Sequence, residues 1–271
     1  MIKVEKLESS NMKAVLYEDS PSFSGIVAGE CKGHLWVDDT KNPSLAMAYS
    51  FAVGDYSILG EPQEESVYKQ FYNFLIEDLF PKLREKNEYC FEFSTESIRM
   101  QEYMLKMFSD RIIEREDEFF YRKATKIVTK MQISNEYLIA KIDAKFIAQL
   151  EQGKYENRKF LEERLLGSWG SYHDFLNKSV AFVALYQKRI VAVIVGTARF
   201  HKIIPIDIET EEQHRKKGLA SALTKCYVNE CVDNQLVAQW NCVDSNVASK
   251  KTVQKAGFLF MKKKPYYWFH I

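Results

Sequence analysis

The sequence has little net charge of either sign. Its 271 residues include 38 basic and 37 acidic side chains, which leaves a formal charge of +1 at neutral pH. A chain this close to neutrality offers no global electrostatic attraction to nucleic acid or to an anionic membrane. We therefore predict that neither a nucleic acid nor a membrane is a partner of this protein.

The sequence also lacks paired cysteines and long apolar runs. The N-terminal segment has no apolar core of a signal peptide, and the longest apolar region, residues 180–198, is interrupted by Lys188 and Arg189. The five cysteines are scattered and include no C-x-x-C pair, a pattern that favours buried thiols over disulfides or zinc ligands. We predict a cytoplasmic protein with no bound metal.

What the sequence does contain is enough length and apolar material for two domains. The chain is nearly twice a typical domain of ~150 residues and carries 18 Phe, 15 Tyr and 4 Trp. Apolar periodicity predicts the order strand, long helix, strand, short helix, strand in both halves. We therefore predict a mixed α/β protein in which residues 1–125 form a degenerate copy of the fold of residues 133–271, with the boundary inside residues 123–135.

The predicted elements follow from these periodicities and from turn-forming residues. In the N-terminal half we expect strands at 25–37 and 45–59, a helix from 67 that ends near Pro81, a strand at 89–93, a helix at 98–108 and a strand at 112–122. In the C-terminal half we expect strands at 136–142, 180–186, 190–198, 203–210, 237–242 and 258–269, and helices at 144–150, 219–233 and 246–256.

One stretch joins a half-buried strand to a basic loop that contains glycine. Over residues 204–209 isoleucine alternates with Pro205, Asp207 and Glu209, and RKKGLA, residues 215–220, leads into a helix predicted from Leu219. The first N–H groups of a helix have no carbonyl partners and the helix dipole adds positive charge, so this loop predicts a site for an anion such as a pyrophosphate. The predicted anion-binding residues are Arg215, Lys216, Lys217, Gly218, Leu219 and Ala220.

A second segment downstream supports this interpretation. It contains N-x-x-S from Asn246 to Ser249, followed by A-G-F at residues 256–258. Together with R-x-x-G-x-A at residues 215–220, it resembles the GNAT superfamily of acyl-CoA-dependent N-acetyltransferases. Within that superfamily it looks most like a two-domain bacterial group that includes zwittermicin-resistance-type acetyltransferases. The resemblance covers about residues 135–271 and implies a GNAT fold there, with a degenerate GNAT-like N-terminal half.

The resemblance also implies cofactor contacts. In the family, the strand before the loop offers backbone groups to the pantetheine arm and the acyl carbonyl of acetyl-CoA, and here those positions are Ile208, Glu209 and Thr210. Asn246 and Ser249 match positions in the family's closing segment, where the asparagine contacts the cofactor. A purely local role of Asn246 as a helix N-cap is an equal alternative.

The sequence indicates the general acid and the general base less clearly than the cofactor contacts. Many relatives place a tyrosine as general acid where this sequence has Val253, which leaves water, Tyr266 or Tyr267 for that role. Glu209 is the first candidate for the general base and Asp207 the second, because both share one strand face; a simple surface charge pair is the alternative. His201 is a third candidate because its pKa is ordinarily close to neutral.

These features predict an enzyme that transfers an acetyl group to a primary amine of a small molecule in a ternary complex. A non-catalytic acyl-CoA sensor and an aminoacyl-tRNA-dependent transferase remain alternatives. The acceptor stays open among antibiotics, polyamines and amino acids, and so does the oligomeric state, with a homodimer as one option. Trp169, Tyr172 and Phe175 are either acceptor contacts or core residues.

Overall fold

The computed structural model describes residues 1–7, 12–130 and 133–271. The chain divides into two compact units, of which unit 1 comprises Met1–Glu118 and Lys263–Ile271 and unit 2 comprises Phe119–Lys262. The boundary predicted within residues 123–135 includes Met131 and Gln132, which lie outside the described residues. The break between the units falls between Glu118 and Phe119, upstream of that region, and the last residues, Lys263–Ile271, belong to unit 1.

Unit 1 is a sheet with helices on both faces. Its strands lie in the order β1-β2-β3-β4-β5-β12; β4 and β5 are parallel, whereas β1 to β4 are joined by antiparallel pairs and β12 is antiparallel to β5. Helices α2 to α4 pack on one face of this sheet, and α1 packs on the other. The elements are β1 (Ile2–Val4), α1 (Pro21–Val27), β2 (Gly33–Val37), β3 (Leu45–Ser50), β4 (Tyr56–Gly60), α2 (Glu65–Phe74), α3 (Phe80–Glu85), β5 (Cys90–Thr95), α4 (Ile98–Met107), the first part of β6 (Glu114–Lys123) and the last part of β12 (Leu259–His270).

Unit 2 repeats this arrangement. Its strands lie in the order β6-β11-β10-β9-β8-β7, with β10 and β11 parallel and β7 to β10 joined by antiparallel pairs. A core of apolar side chains separates α8 from the sheet. The further elements are β7 (Tyr137–Lys141), α5 (Ala144–Glu151), α6 (Arg158–Trp169), α7 (Tyr172–Lys178), β8 (Ala181–Tyr186), β9 (Arg189–Gly196), β10 (Ile203–Thr210), α8 (Leu219–Asp233), β11 (Val237–Val243) and α9 (Val247–Lys255).

The two units therefore share one order of elements, and they exchange their final strands. Residues 263–270 of β12 belong to unit 1, where Tyr267 lies opposite Phe93 of β5, and residues 119–123 of β6 belong to unit 2. The mixed α/β class predicted from the sequence is confirmed. The exchange was not predicted, because pairing between strands so distant in sequence leaves no local pattern.

Three predicted elements in unit 1 are wrong. The single strand predicted at residues 45–59 is a pair of antiparallel strands, β3 and β4, joined by a turn. The first residues of the strand predicted at 25–37 instead belong to helix α1. Pro21 fits the first turn of this helix because N–H groups there have no carbonyl partner within the helix. The predicted helix end near Pro81 is also wrong. The helix continues through a π turn, Leu75–Leu79, into α3, where Pro81 again occupies the first turn.

Candidate functional site

Strands β10 and β11 are paired only near their starts. Their parallel register runs from Ile203 opposite Val237 to Pro205 opposite Gln239. Strand β10 nevertheless continues to Thr210, and its antiparallel pairing with β9 extends over residues 206–210. A gap therefore opens between β10 and β11 beyond Pro205.

The peptide groups of β10 alternate between β9 and this gap. The amide of Thr197 donates to the carbonyl of Pro205 at 3.0 Å, and the amide of Glu211 donates to the carbonyl of Val191 at 2.8 Å. Because alternate residues of an antiparallel strand face the same neighbour, the peptide groups of Glu209 face β9, whereas those of Ile208 and Thr210 face the gap. Of the three predicted backbone contacts, the structure thus turns Ile208 and Thr210 towards the opening.

The loop after β10 leads into the start of α8 with an irregular, exposed backbone. Lys216 and Gly218 have positive φ angles of 63° and 80°, and residues 215–218 are exposed. Gly218 occupies the N-cap position of α8 without a capping side chain. The first N–H groups of the helix are therefore available to an anion. Leu219 is 1% exposed and anchors the helix in the core, while the carbonyl of Ala220 accepts a hydrogen bond from Thr224.

An ion-pair network holds the end of β10 in place. The guanidinium of Arg189 donates to both carboxylate oxygens of Glu211, at 2.6 and 3.0 Å. The side-chain amide of Asn157 donates to Glu211 Oε1 at 2.9 Å and to the carbonyl of Ile190 at 2.9 Å. Glu211 thereby fixes the point at which the chain leaves the sheet and enters the loop.

Tyr137 of β7 holds the other side of the loop. Its hydroxyl lies 2.9 Å from His214 Nδ1, and its ring lies 5.7 Å from Lys217 Nζ. A hydrogen bond with Tyr137 raises the pKa of the Lys217 ammonium, with smaller contributions from nearby charges such as Glu136. Lys217 therefore remains charged at neutral pH. Sequence reasoning did not identify Tyr137, His214 or Glu211, because their partners lie far away along the chain.

A basic groove lies beside the start of α8. It has a volume of about 630 Å³ and is lined by Gly218 and Ser221 of the loop and helix, by the segment 255–257, and by residues 126–130. Its basic lining residues are Lys123, Lys126, Lys130 and Lys255. Lys126 is paired with Asp233 at 2.5 Å, and Lys123 donates to the carbonyl of Gly257 at 3.0 Å. The groove favours a negatively charged ligand.

The two predicted carboxylates are brought together on the opposite face of β10. Ile206 and Ile208 pack against the core beneath α8, so the side chains of Asp207 and Glu209 point away from that helix. Arg164 of α6 pairs with both: its Nε lies 2.9 Å from Asp207 Oδ2, and its Nη2 contacts Glu209 Oε2. The carboxylates are about two-fifths exposed, with side-chain values of 43% and 42%, against 18% for Arg164.

Comparison with known proteins identifies the family. A family model described as GNAT acetyltransferase matches residues 14–267. The chain belongs to the GNAT acetyltransferase family. An uncharacterized N-acetyltransferase, YdfB, from Bacillus subtilis (strain 168) is 29% identical over 90 residues, which cover 33% of this chain and 34% of that protein. The chain thus matches about a third of the length of this curated relative.

Solved structures with low sequence identity share the fold. A GCN5-related N-acetyltransferase-like protein from Streptococcus suis has a TM-score of 0.58 at 18% identity, with 88% of each chain covered. A tandem GNAT protein from the clavulanic acid biosynthesis pathway has a TM-score of 0.56 at 8% identity, covering 89% of this chain and 83% of that chain. An acetyltransferase from Colwellia psychrerythraea has a TM-score of 0.54 at 13% identity, with 97% and 93% covered. The predicted GNAT fold is therefore confirmed.

Asn246 and Ser249 serve local structure in this GNAT protein. The Asn246 side chain caps α9 by accepting a hydrogen bond from the amide of Ser249 at 3.0 Å. The hydroxyl of Ser249 in turn accepts from Trp240 Nε1 at 2.7 Å. The predicted N-cap is confirmed, and a cofactor contact by the exposed Asn246 remains a prediction.

Several other candidates are core residues. Trp169 and Phe175 are 1% and 0% exposed, which confirms the core alternative for both, whereas Tyr172 is partly exposed and donates to Glu162. The remaining candidates for proton transfer differ in position. His201 is exposed, Tyr267 is 2% exposed in the aromatic core of unit 1, and Tyr266 in the same unit donates to Glu92. Val253, which cannot donate a proton, is fully buried.

Two further features of the described part of the chain concern metal-ligand groups and membrane-spanning helices. Within it, His, Cys, Asp and Glu side chains form no group of three or more that could hold a metal ion. No helix in the described ranges is both long and apolar enough to cross a membrane.

Proposed function

We propose that this protein transfers an acetyl group from acetyl-CoA to the primary amine of a small molecule in a ternary complex. The observation that carries this proposal is the gap between β10 and β11 directly before the exposed start of α8. A CoA thioester needs a narrow slot for its extended arm and N–H donors for its pyrophosphate. The two features lie next to each other along the chain.

Each part of the cofactor has a counterpart in unit 2. The pyrophosphate would accept hydrogen bonds from the backbone around Gly218, and the phosphorylated nucleotide would lie towards the basic groove. The pantetheine arm would pair with the peptide groups of β10 that face the gap. The acyl carbonyl would then accept a hydrogen bond from the amide of Ile208, and removal of such a donor to a developing oxyanion typically costs ~3 kcal/mol.

The acceptor amine would enter on the face that carries Asp207 and Glu209. It must lose one proton before or during attack on the thioester carbon, and a carboxylate within reach can accept that proton. Glu209 is our first candidate for this base and Asp207 our second. Attack forms the C–N bond, collapse of the tetrahedral intermediate breaks the C–S bond, and water protonates the departing thiolate. Arg164 orients the two carboxylates.

The resemblance to resistance-type acetyltransferases guides the choice of acceptors to be tested. We propose a panel of aminated antibiotics, polyamines and amino acids, with release of free coenzyme A as the readout. Isothermal titration with acetyl-CoA comes first. We expect saturable binding by the intact chain, followed by amine-dependent thiol release. An absence of acetyl-CoA binding would reject the proposal.

A non-catalytic acyl-CoA sensor is the second candidate. The observation that favours it is Val253, which is fully buried at the position where many relatives carry a tyrosine acid. Binding of acetyl-CoA without thiol release for any amine in the panel would support the sensor and contradict the enzyme.

A further inference from the structure

One face of the unit 1 sheet carries a row of polar side chains. The neighbouring residues Phe91, Phe93 and Tyr267 point to the other face, where they pack in the aromatic core with α2 to α4. Because side chains alternate along a strand, the residues between them share the opposite face. This polar row consists of Asp55 before β4, Ser57 of β4, Glu92 and Ser94 of β5, Glu96 directly after β5, Glu118 of β6, and Lys264 and Tyr266 of β12.

The inner part of the polar row is buried and hydrogen-bonded. Lys264 Nζ lies 2.5 Å from Glu96 Oε1, with the two side chains 11% and 2% exposed. The hydroxyl of Ser94 donates to that of Ser57 at 3.1 Å. Lys264 therefore neutralises Glu96, its nearest carboxylate. Three further carboxyl groups belong to the polar row, and Lys264 is its only basic member.

Asp55 is the member whose polar atoms are least satisfied. The residue is 9% exposed, and its Oδ1 has no hydrogen-bond partner. Burial, followed by the charge of Glu118, raises the pKa of the Asp55 carboxyl well above its ordinary value, although the charge of Lys264 opposes the shift. A buried acceptor oxygen without a donor is costly, and a bound donor would remove that cost.

We propose that the polar row is a binding site for a primary alkylammonium ion, whose N–H groups would donate to Asp55 Oδ1. Three N–H donors and a positive charge match the buried, unpartnered Oδ1 of Asp55, which also lies within the field of the Glu92 carboxylate. The rings of Tyr266 and Trp268, with centroids 6.0 Å apart, offer an aromatic surface for the alkyl chain. Glu92, which accepts a hydrogen bond from the hydroxyl of Tyr266, is exposed to solvent. The ammonium ion would therefore enter the polar row from the side of Glu92. This site lies in unit 1 and does not depend on the proposed acetyl transfer.

The test uses the full chain without acetyl-CoA and n-butylamine hydrochloride as the probe in isothermal titration at pH 7. We expect saturable binding by the unmodified protein, with 1-butanol giving none. Asp55→Asn should weaken binding at least tenfold, whereas Asp78→Asn, a surface change on the same unit, should leave it unchanged. A double variant, Asp207→Asn with Glu209→Gln, should also retain binding, because those carboxylates belong to unit 2.

The proposal fails if n-butylamine does not bind, if Asp55→Asn binds as the unmodified protein does, or if the double variant abolishes binding. A second measurement on the unmodified protein tests binding at Asp55 even if Asp55→Asn does not fold. The ammonium would favour the ionised Asp55, so binding should release protons and its heat should differ between phosphate and MOPS buffers, neither of which contains a primary amine. Equal heats in the two buffers would overturn the proposal.

Discussion

The two units have the same order of strands but differ where the chain leaves the first parallel strand. In unit 1, β4 pairs with β5 over residues 56–58 and ends two residues later at Gly60. In unit 2, β10 continues well beyond its pairing with β11. The unpaired end of β4 in unit 1 is thus shorter than that of β10 in unit 2, and it leaves less space between the two parallel strands. The shared topology therefore does not by itself create a slot for a ligand.

The loops that follow differ in charge as well. Unit 1 enters α2 through the acidic sequence EPQEES, residues 61–66, with Glu64 at the N-cap. Unit 2 enters α8 through RKKG, with Gly218 at the N-cap. Both helix starts present unpaired N–H groups, but carboxylates would repel an anion from the first and lysines would attract one to the second. Loop charge therefore favours an anion at the start of α8 and disfavours one at the start of α2.

The largest effect is expected for the strand that the units exchange. Phe269 is 1% exposed and packs on Phe108 and Phe91 with ring centroids 4.7 and 5.7 Å apart. Phe269→Ala should lower the free energy of unfolding by about 3–5 kcal/mol, as truncation of a buried aromatic ring usually does. Urea unfolding followed by circular dichroism measures this loss.

The control for that experiment lies on the same strand. Phe260 of β12 belongs to unit 2 and is 55% exposed, so Phe260→Ala should cost much less than Phe269→Ala. Equal losses for the two variants would contradict the assignment of the last residues to the core of unit 1.

The second-largest effect is expected at the loop before α8, whose composition distinguishes unit 2 from unit 1. Gly218 has φ of 80°, a conformation that valine adopts only with strain, and a side chain there would obstruct close approach of a pyrophosphate. Gly218→Val should weaken acetyl-CoA binding about 100-fold, since hydrogen bonds to charged groups contribute about 1.5–3 kcal/mol each. Isothermal titration gives the change in Kd.

Gly153→Val is the matched control for backbone strain. Gly153 has a similar φ of 75°, and an added Cβ there would meet nothing within 4 Å. It should destabilise the fold to a similar degree and leave acetyl-CoA binding intact. Comparable losses of binding in both variants would attribute the effect to strain alone and contradict a phosphate site at Gly218.

The sequence predicted unit 2 more accurately than unit 1. The bounds of β10 and α8 match their predicted residues, because alternating isoleucines and a glycine directly before Leu219 are strong local signals. Helix α1 was missed because all its residues are buried, and uniform burial removes the periodicity that distinguishes helix from strand. The contacts of Arg164 and Glu211 were also missed. They join residues far apart in sequence, so only the folded structure brings them together.

The third effect tests whether the carboxylates of unit 2 act as an oriented pair. Arg164→Ala would leave two like charges adjacent on β10 without their shared partner. We expect kcat/KM for the acceptor amine to fall about tenfold, or about 1.4 kcal/mol, with little change in the Kd for acetyl-CoA. Lys159→Ala on the same helix is the control, because that side chain is 87% exposed. A similar loss with Lys159→Ala would assign the effect to the helix and not to the ion pairs.

The smallest effect compares the short helices that occupy the same place in the two copies. Ser97 caps α4 in unit 1 and Asn246 caps α9 in unit 2, each by accepting a hydrogen bond from the amide three residues later. Ser97→Ala and Asn246→Ala should each cost about 1 kcal/mol of stability, the usual effect of losing an N-cap. If Asn246 also contacts the cofactor, only Asn246→Ala should weaken acetyl-CoA binding as well. Parallel thermal unfolding and titration of the two variants separate these roles, and equal affinities would restrict Asn246 to capping.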